Sequence, residues 1–232
     1  MIQNKNIVIT GASSGIGKAI LDMLGAPENG NRIVAASRSI AKLTGYSENV
    51  TLFPCDLSAR EGVDALFEKA EELFDRIDIL ICNAGAPYYE RYDYADWGRI
   101  ERIFALNTFS PMYSYSKYLH HLNGREGHLA FTISAMGEMA LPGYALYAST
   151  KFAMKGFQQA VRMEAPENLK ITCVYPWPPG PTSSRWAAPD TRWSSPSPSK
   201  RRKRWPRPPS AAWRKAKSRS IPAPSICPAG SS

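Results

Sequence analysis

Tyr147 and Lys151 stand four residues apart in the run Tyr-Ala-Ser-Thr-Lys. On a helix that spacing places both side chains on one face, one turn apart. A free phenol titrates near ~10 and is a poor proton donor or acceptor at neutral pH. An ammonium fixed beside it favours the phenolate and is expected to lower that value. The pair can therefore serve as an acid/base unit. By itself the spacing is also common on solvated helices. Its weight comes from a glycine-rich turn near the N-terminus and from Ser134, at the end of an expected strand.

These residues need a scaffold, and the first 175 residues supply its pattern. Ile7-Val8-Ile9 is a short apolar strand ending at Thr10-Gly11, and a helix should follow from Gly15. Arg32 to Ala36 and Val50 to Phe53 read as the second and third strands. Val63, Leu66, Phe67, Ala70, Leu73 and Phe74 make one apolar helical stripe, with acids and Lys69 opposite. Ile77 to Cys82 is a buried strand, and Trp97 to about Leu122 a long helix in which Pro111 marks a kink or break. Leu129 to Ile133 is a fifth strand, Tyr144 to Glu164 a helix, and Lys170 to Tyr175 a sixth strand. Apolar strands alternating with helices predict an α/β fold, a doubly wound parallel sheet of about six strands covered on both faces.

The net charge of +9 is an average over two unlike parts. Residues 1–175 carry 17 Lys and Arg against 19 Asp and Glu, whereas residues 176–232 carry 12 against one, Asp190. The second part holds 13 of the 19 prolines and five of the six tryptophans, and has no Leu, Val, Phe, Tyr or Met. No helical or strand period survives in it, and its composition cannot bury enough apolar surface to offset chain entropy. The division expected is a catalytic domain over 1–176 and a basic Pro/Ser/Arg/Trp-rich tail over 177–232, either disordered or the product of a reading-frame shift near Pro176. Lys200 to Arg204, with Trp193, Trp205 and Trp213 nearby, resembles a nucleic-acid or nuclear-targeting segment. A charge run carries little specificity, and nucleic acid is not the expected partner. No secretory signal and no apolar stretch of ~18 residues is present, so no membrane span is expected. Cys55, Cys82, Cys173 and Cys227 lack metal-binding spacing and read as free thiols of a reducing, cytoplasmic compartment.

Thr10-Gly11-Ala12-Ser13-Ser14-Gly15-Ile16-Gly17 lies between the first strand and the first helix. Glycines there allow a tight turn and close approach to a pyrophosphate, and the helix N-terminus offers free N–H groups. The spacing is GxxxGxG rather than GxGxxG. Together with Asn83-Ala84-Gly85 after the fourth strand, Asn107, Ser134 and the Tyr147/Lys151 pair, this motif set resembles the short-chain dehydrogenase/reductase family over about residues 5–176.

The resemblance implies a Rossmann-like domain, NAD(P)(H), and hydride transfer to or from a carbonyl or alcohol carbon of a small-molecule substrate. Tyr147 would donate the proton, Lys151 would hold the ribose hydroxyls and depress the Tyr147 pKa, Ser134 would bind the substrate oxygen, and Asn107 would support a water relay. Gly11, Ser13, Ser14, Gly15, Ile16 and Gly17, Asp56 and Leu57, Asn83 to Gly85, and Pro176 would line the cofactor site. Singly, each has a plainer reading: Ser134 as a strand-end cap, Asn107 as a partner for buried backbone, Asp56 as an N-cap. After the second strand the chain has Ser37 and Arg38 and no acid, which favours NADP(H) over NAD(H), because Arg accommodates a 2′-phosphate that an acid would repel. Gly137 to Gly143, with Met136, Met139 and Leu141, is a further candidate, an apolar substrate wall.

The chain departs from the family pattern after Tyr175-Pro176, where Trp177-Pro178-Pro179-Gly180 replaces the usual continuation, and no lid helix or seventh strand follows. Two alternatives therefore stand beside an active reductase. One is the same fold impaired by a missing substrate and nicotinamide wall. The other is a cofactor-binding scaffold for a basic tail. The same departure weakens the family's expectation of a homo-oligomer.

Overall fold

A computed structural model describes residues 2–90, 92 and 96–177. The expected basic tail, with the departure from the family pattern after Trp177, lies outside the described residues. Six strands alternate with helices: β1 (Asn6–Thr10), α1 (Gly15–Leu24), β2 (Arg32–Ala36), β3 (Val50–Phe53), α2 (Arg60–Leu73), β4 (Ile79–Cys82), α3 (Trp97–Phe104), α4 (Ser110–Leu122), β5 (Gly127–Thr132), α5 (Ala145–Glu164) and β6 (Leu169–Val174). The strands form one parallel sheet in the order β3-β2-β1-β4-β5-β6. This is the doubly wound Rossmann-like arrangement, whose order reverses between β1 and β4 and opens a crevice at the strand C-termini.

The two-residue period of the strands divides the core. Val8, Val34, Leu80 and Leu129 point to one face, against Val63, Leu66 and Phe67 of α2, Tyr118 and Leu122 of α4, and Met154 and Val161 of α5. Ile7, Ile9, Ile33, Ile79 and Ile81 point to the other, against Leu21 and Leu24 of α1. Burial on both faces is why the strands read as near-continuous apolar runs rather than alternating ones.

The long helix expected over 97–122 is interrupted, though not by a kink at Pro111. A π-helical turn over Ala105–Phe109 joins α3 to α4, and the Ser110 N–H reaches back to the Ala105 carbonyl. Pro111 has no N–H to offer the carbonyl four residues earlier, so the break propagates upstream of the proline. The turn places Asn107 and Thr108 inward, with both buried.

Candidate active site

The glycine turn closes by backbone geometry. Gly11 takes φ +68 and Gly15 φ +55, a region unfavourable for side chains. A Cβ on Gly11 would come within 2.7 Å of the Ala84 backbone, and one on Gly17 within 2.3 Å of the Gly11 carbonyl oxygen. At Gly15 the space is open. Thr10 locks this turn to its neighbour: its hydroxyl donates to the Ile81 carbonyl (3.2 Å) and accepts from the N–H groups of Asn83 (2.9 Å) and Ala84 (3.0 Å).

A cleft of about 1150 Å³ runs across the strand C-termini. At one end are Ser13, Ser14, Ser37 and Arg38; Asp56, Leu57 and Asn83 to Gly85 follow; Ser134, Tyr147, Lys151 and Pro176 close the other. Gly11, Gly15 and Ile16 line it as well. Of the catalytic and cofactor-site candidates singled out in the sequence, Gly17 and Asn107 are not on its wall. Gly17 stands behind the turn, where only hydrogen fits. Asn107 is buried beneath: its Oδ1 accepts from the Ala86 N–H (2.9 Å), and its Nδ2 donates to the Ala86 carbonyl (3.1 Å) and the Thr150 hydroxyl (3.2 Å).

The plainer capping roles of Ser134 and Asp56 are both present. Ser134 Oγ accepts from the Met136 N–H (3.1 Å), capping a short turn. Asp56 Oδ1 accepts from the Ser58 N–H (3.0 Å) and hydroxyl (2.7 Å), so it caps the turn ahead of α2 while the helix N-cap itself is Ala59. The Ser58 hydroxyl is also the first cause holding the Asp56 carboxyl below its ordinary range, with Arg38 contributing less. At the β2 end, Ser13 and Ser37 hydroxyls meet at 2.7 Å, and Ser39 Oγ donates to Ser13 Oγ (3.1 Å). Neutral hydroxyls and one guanidinium therefore gather where an acid would select a free ribose hydroxyl.

On α5, Lys151 Nζ lies 5.7 Å from the Tyr147 ring centroid and donates to the Thr132 carbonyl (3.2 Å). Burial lowers the Lys151 pKa to about 8. The Tyr147 pKa moves opposite to the expectation. Burial raises it, the Ser134 hydroxyl pulls it down less strongly, the Tyr144 phenol adds to the rise, and Lys151 is not among the causes. Desolvation outweighs the neighbouring amine because that amine is itself driven toward neutrality.

Sequence reasoning passed over Thr10, Thr150 and Tyr144. Thr150 donates to the Tyr147 carbonyl (2.7 Å) while accepting from Asn107, so it ties the π turn to α5. Its position between Tyr147 and Lys151 was the available signal. Of the expected apolar wall, Met136 lines the cleft, whereas Met139 and Leu141 are exposed outside it.

The glycine cradle and the hydroxyl-rich wall fit a dinucleotide, and among the described residues no group of three His, Cys, Asp or Glu gathers for a metal. Such a crevice at the switch point of this sheet is where a doubly wound fold takes a nucleotide. The sequence matches the short chain dehydrogenase family model over residues 5–193, and the chain belongs to that family. The match runs past Pro176, where the motif resemblance stopped. An uncharacterised oxidoreductase of Listeria monocytogenes is 31% identical over 186 residues, covering 75% of this chain and 74% of the relative. Nodulation protein G of a Rhizobium is 31% identical over 186 residues, covering 75% and 73%. The alcohol dehydrogenase of Thermococcus sibiricus, solved with 5-hydroxy-NADP, aligns with a TM-score of 0.68 at 26% identity, covering 75% of this chain and 76% of that one. The protein is by class an NAD(P)-dependent dehydrogenase/reductase with a small-molecule substrate. Among the described residues no helix is long and apolar enough to cross a membrane.

Proposed function

We propose that the protein is an NADP(H)-dependent carbonyl reductase whose proton donor is Tyr147, and that residues 1–176 form its catalytic domain. The observation that carries this reading is the single cleft joining the Ser37/Arg38 end to Tyr147 and Lys151. When bound, the reduced dinucleotide supplies the hydride. Tyr147, a phenol and so protonated at neutral pH, gives its proton to the carbonyl oxygen as that oxygen gains negative charge. The Ser134 hydroxyl donates a hydrogen bond to the same oxygen, and Lys151 holds the cofactor's ribose hydroxyls from beneath the cleft. Asn107 keeps the Ala86 backbone and Thr150 in register behind Lys151.

Arg38, beside the Ser37 hydroxyl, supports a 2′-phosphate and hence NADP(H) over NAD(H). That support is tested by fluorescence titration of both reduced cofactors. Arg38→Ala should weaken NADPH about tenfold and leave NADH unchanged, as expected for one charge-assisted contact. Equal affinity for the two cofactors, unaltered by the substitution, refutes it. For the acid role, Tyr147→Phe should lower turnover of a carbonyl panel about 10³-fold while NADPH still binds. A variant that keeps most of its turnover removes Tyr147 from the chemistry.

A further inference from the structure

Beside Tyr147 the cleft wall turns aromatic. Tyr144 lines it with its ring centroid 6.2 Å from that of Tyr147, and Tyr89 meets Tyr144 edge-on at 5.1 Å. Tyr89 is held there because position 143 is glycine: at φ +83, a Cβ would come within 2.5 Å of the Tyr89 ring. The Glu90 N–H donates to the Gly143 carbonyl (2.7 Å), clamping the two loops together. A ring braced on its edge by a second ring offers a preorganised flat face at low entropic cost. Met136, which adapts to irregular apolar shapes, lines the same end. The charged side chains on the described cleft wall are Arg38, Asp56 and Lys151. Arg38 and Asp56 stand at the opposite end, and Lys151 is engaged by Thr132. Glu90 with Arg99, and Glu138 with Lys155, form ion pairs nearby, but none of the four is on the described cleft wall, where Tyr144 and Met136 present an uncharged surface.

We propose that Tyr144 is a specificity-determining residue that selects neutral carbonyl compounds bearing an aryl group, whose ring packs on the Tyr144 face with the carbonyl toward Tyr147 and Ser134. This inference rests on the carbonyl reductase reading and names the substrate class of that site.

The test measures dissociation constants by ligand-observed NMR on the full chain, with and without NADPH. The ligands are acetophenone, cyclohexyl methyl ketone and phenylglyoxylate. Acetophenone should bind about fivefold tighter than its saturated counterpart, the scale of one aromatic contact, and tighter than the anionic phenylglyoxylate. Tyr144→Phe should keep that preference and Tyr144→Leu should erase it, with NADPH affinity serving as the check that each variant is folded. Equal binding of the two ketones, no binding of either, or a preference that survives Tyr144→Leu overturns the proposal. Loss of NADPH absorbance with acetophenone is read separately. Aryl-selective binding without turnover sinks the reductase reading and leaves the recognition by Tyr144 standing.

Discussion

Lys151 is the residue whose burden is most visible. Its ammonium is nearly buried, and burial lowers its pKa from 10.5 to about 8. The folded chain therefore binds fewer protons than the unfolded chain between those values, so stability rises with pH across that window. Lys151→Met removes the titration. The variant should be more stable than the parent at pH 7, by on the order of 2–3 kcal/mol, and the gap should close toward pH 10. Urea unfolding across that range checks it; a gap that does not shrink with pH contradicts the assignment. A site that trades stability for a buried cation is the expected signature of function. Tyr147 is shifted by the same cause: burial makes its phenol a weaker acid than a free one, and it stands protonated at neutral pH with or without that shift.

At the scale of elements, the site depends on a seam between the π turn and α5. Thr150 spans it, donating to the Tyr147 carbonyl and accepting from Asn107, while the Thr108 hydroxyl donates to the Thr150 carbonyl (3.3 Å). Thr150→Val keeps the volume and deletes the two bonds of the Thr150 hydroxyl, leaving the Thr108 bond to the backbone carbonyl. It should cost about 1–2 kcal/mol and reduce kcat more than it raises KM, with Thr150→Ser restoring both. A loss of stability with kcat untouched would reduce Thr150 to a packing residue. Element types and order were legible from hydrophobic period alone: β2 and β3 were read at their observed bounds, and α5 within one residue. The π turn was not legible. Pro111 signalled an irregularity, but its placement at Ala105–Phe109 depends on which carbonyl the Ser110 N–H can reach.

For the whole molecule, Tyr118 joins α4 to the sheet. Its buried hydroxyl faces the carbonyls of Ile77 (3.1 Å) and Asp78 (2.9 Å) and accepts the His128 N–H (3.2 Å). Tyr118→Phe leaves these backbone groups short of a partner and should lower global stability by about 1–3 kcal/mol, measured by denaturant midpoint, while NADPH affinity stays unchanged. An unaltered midpoint would mean that water or a rearranged backbone replaces the hydroxyl. The sequence by itself determined the alternation of strand and helix, the glycine turn, and the positions of Ser134, Tyr147 and Lys151, because these rest on local period and spacing. Only the tertiary structure decided the direction of the Tyr147 shift, the bridge through Thr150, and the aromatic wall of Tyr89 and Tyr144. Desolvation and contacts between distant segments arise from packing, and no local pattern along the chain encodes how much water a side chain loses.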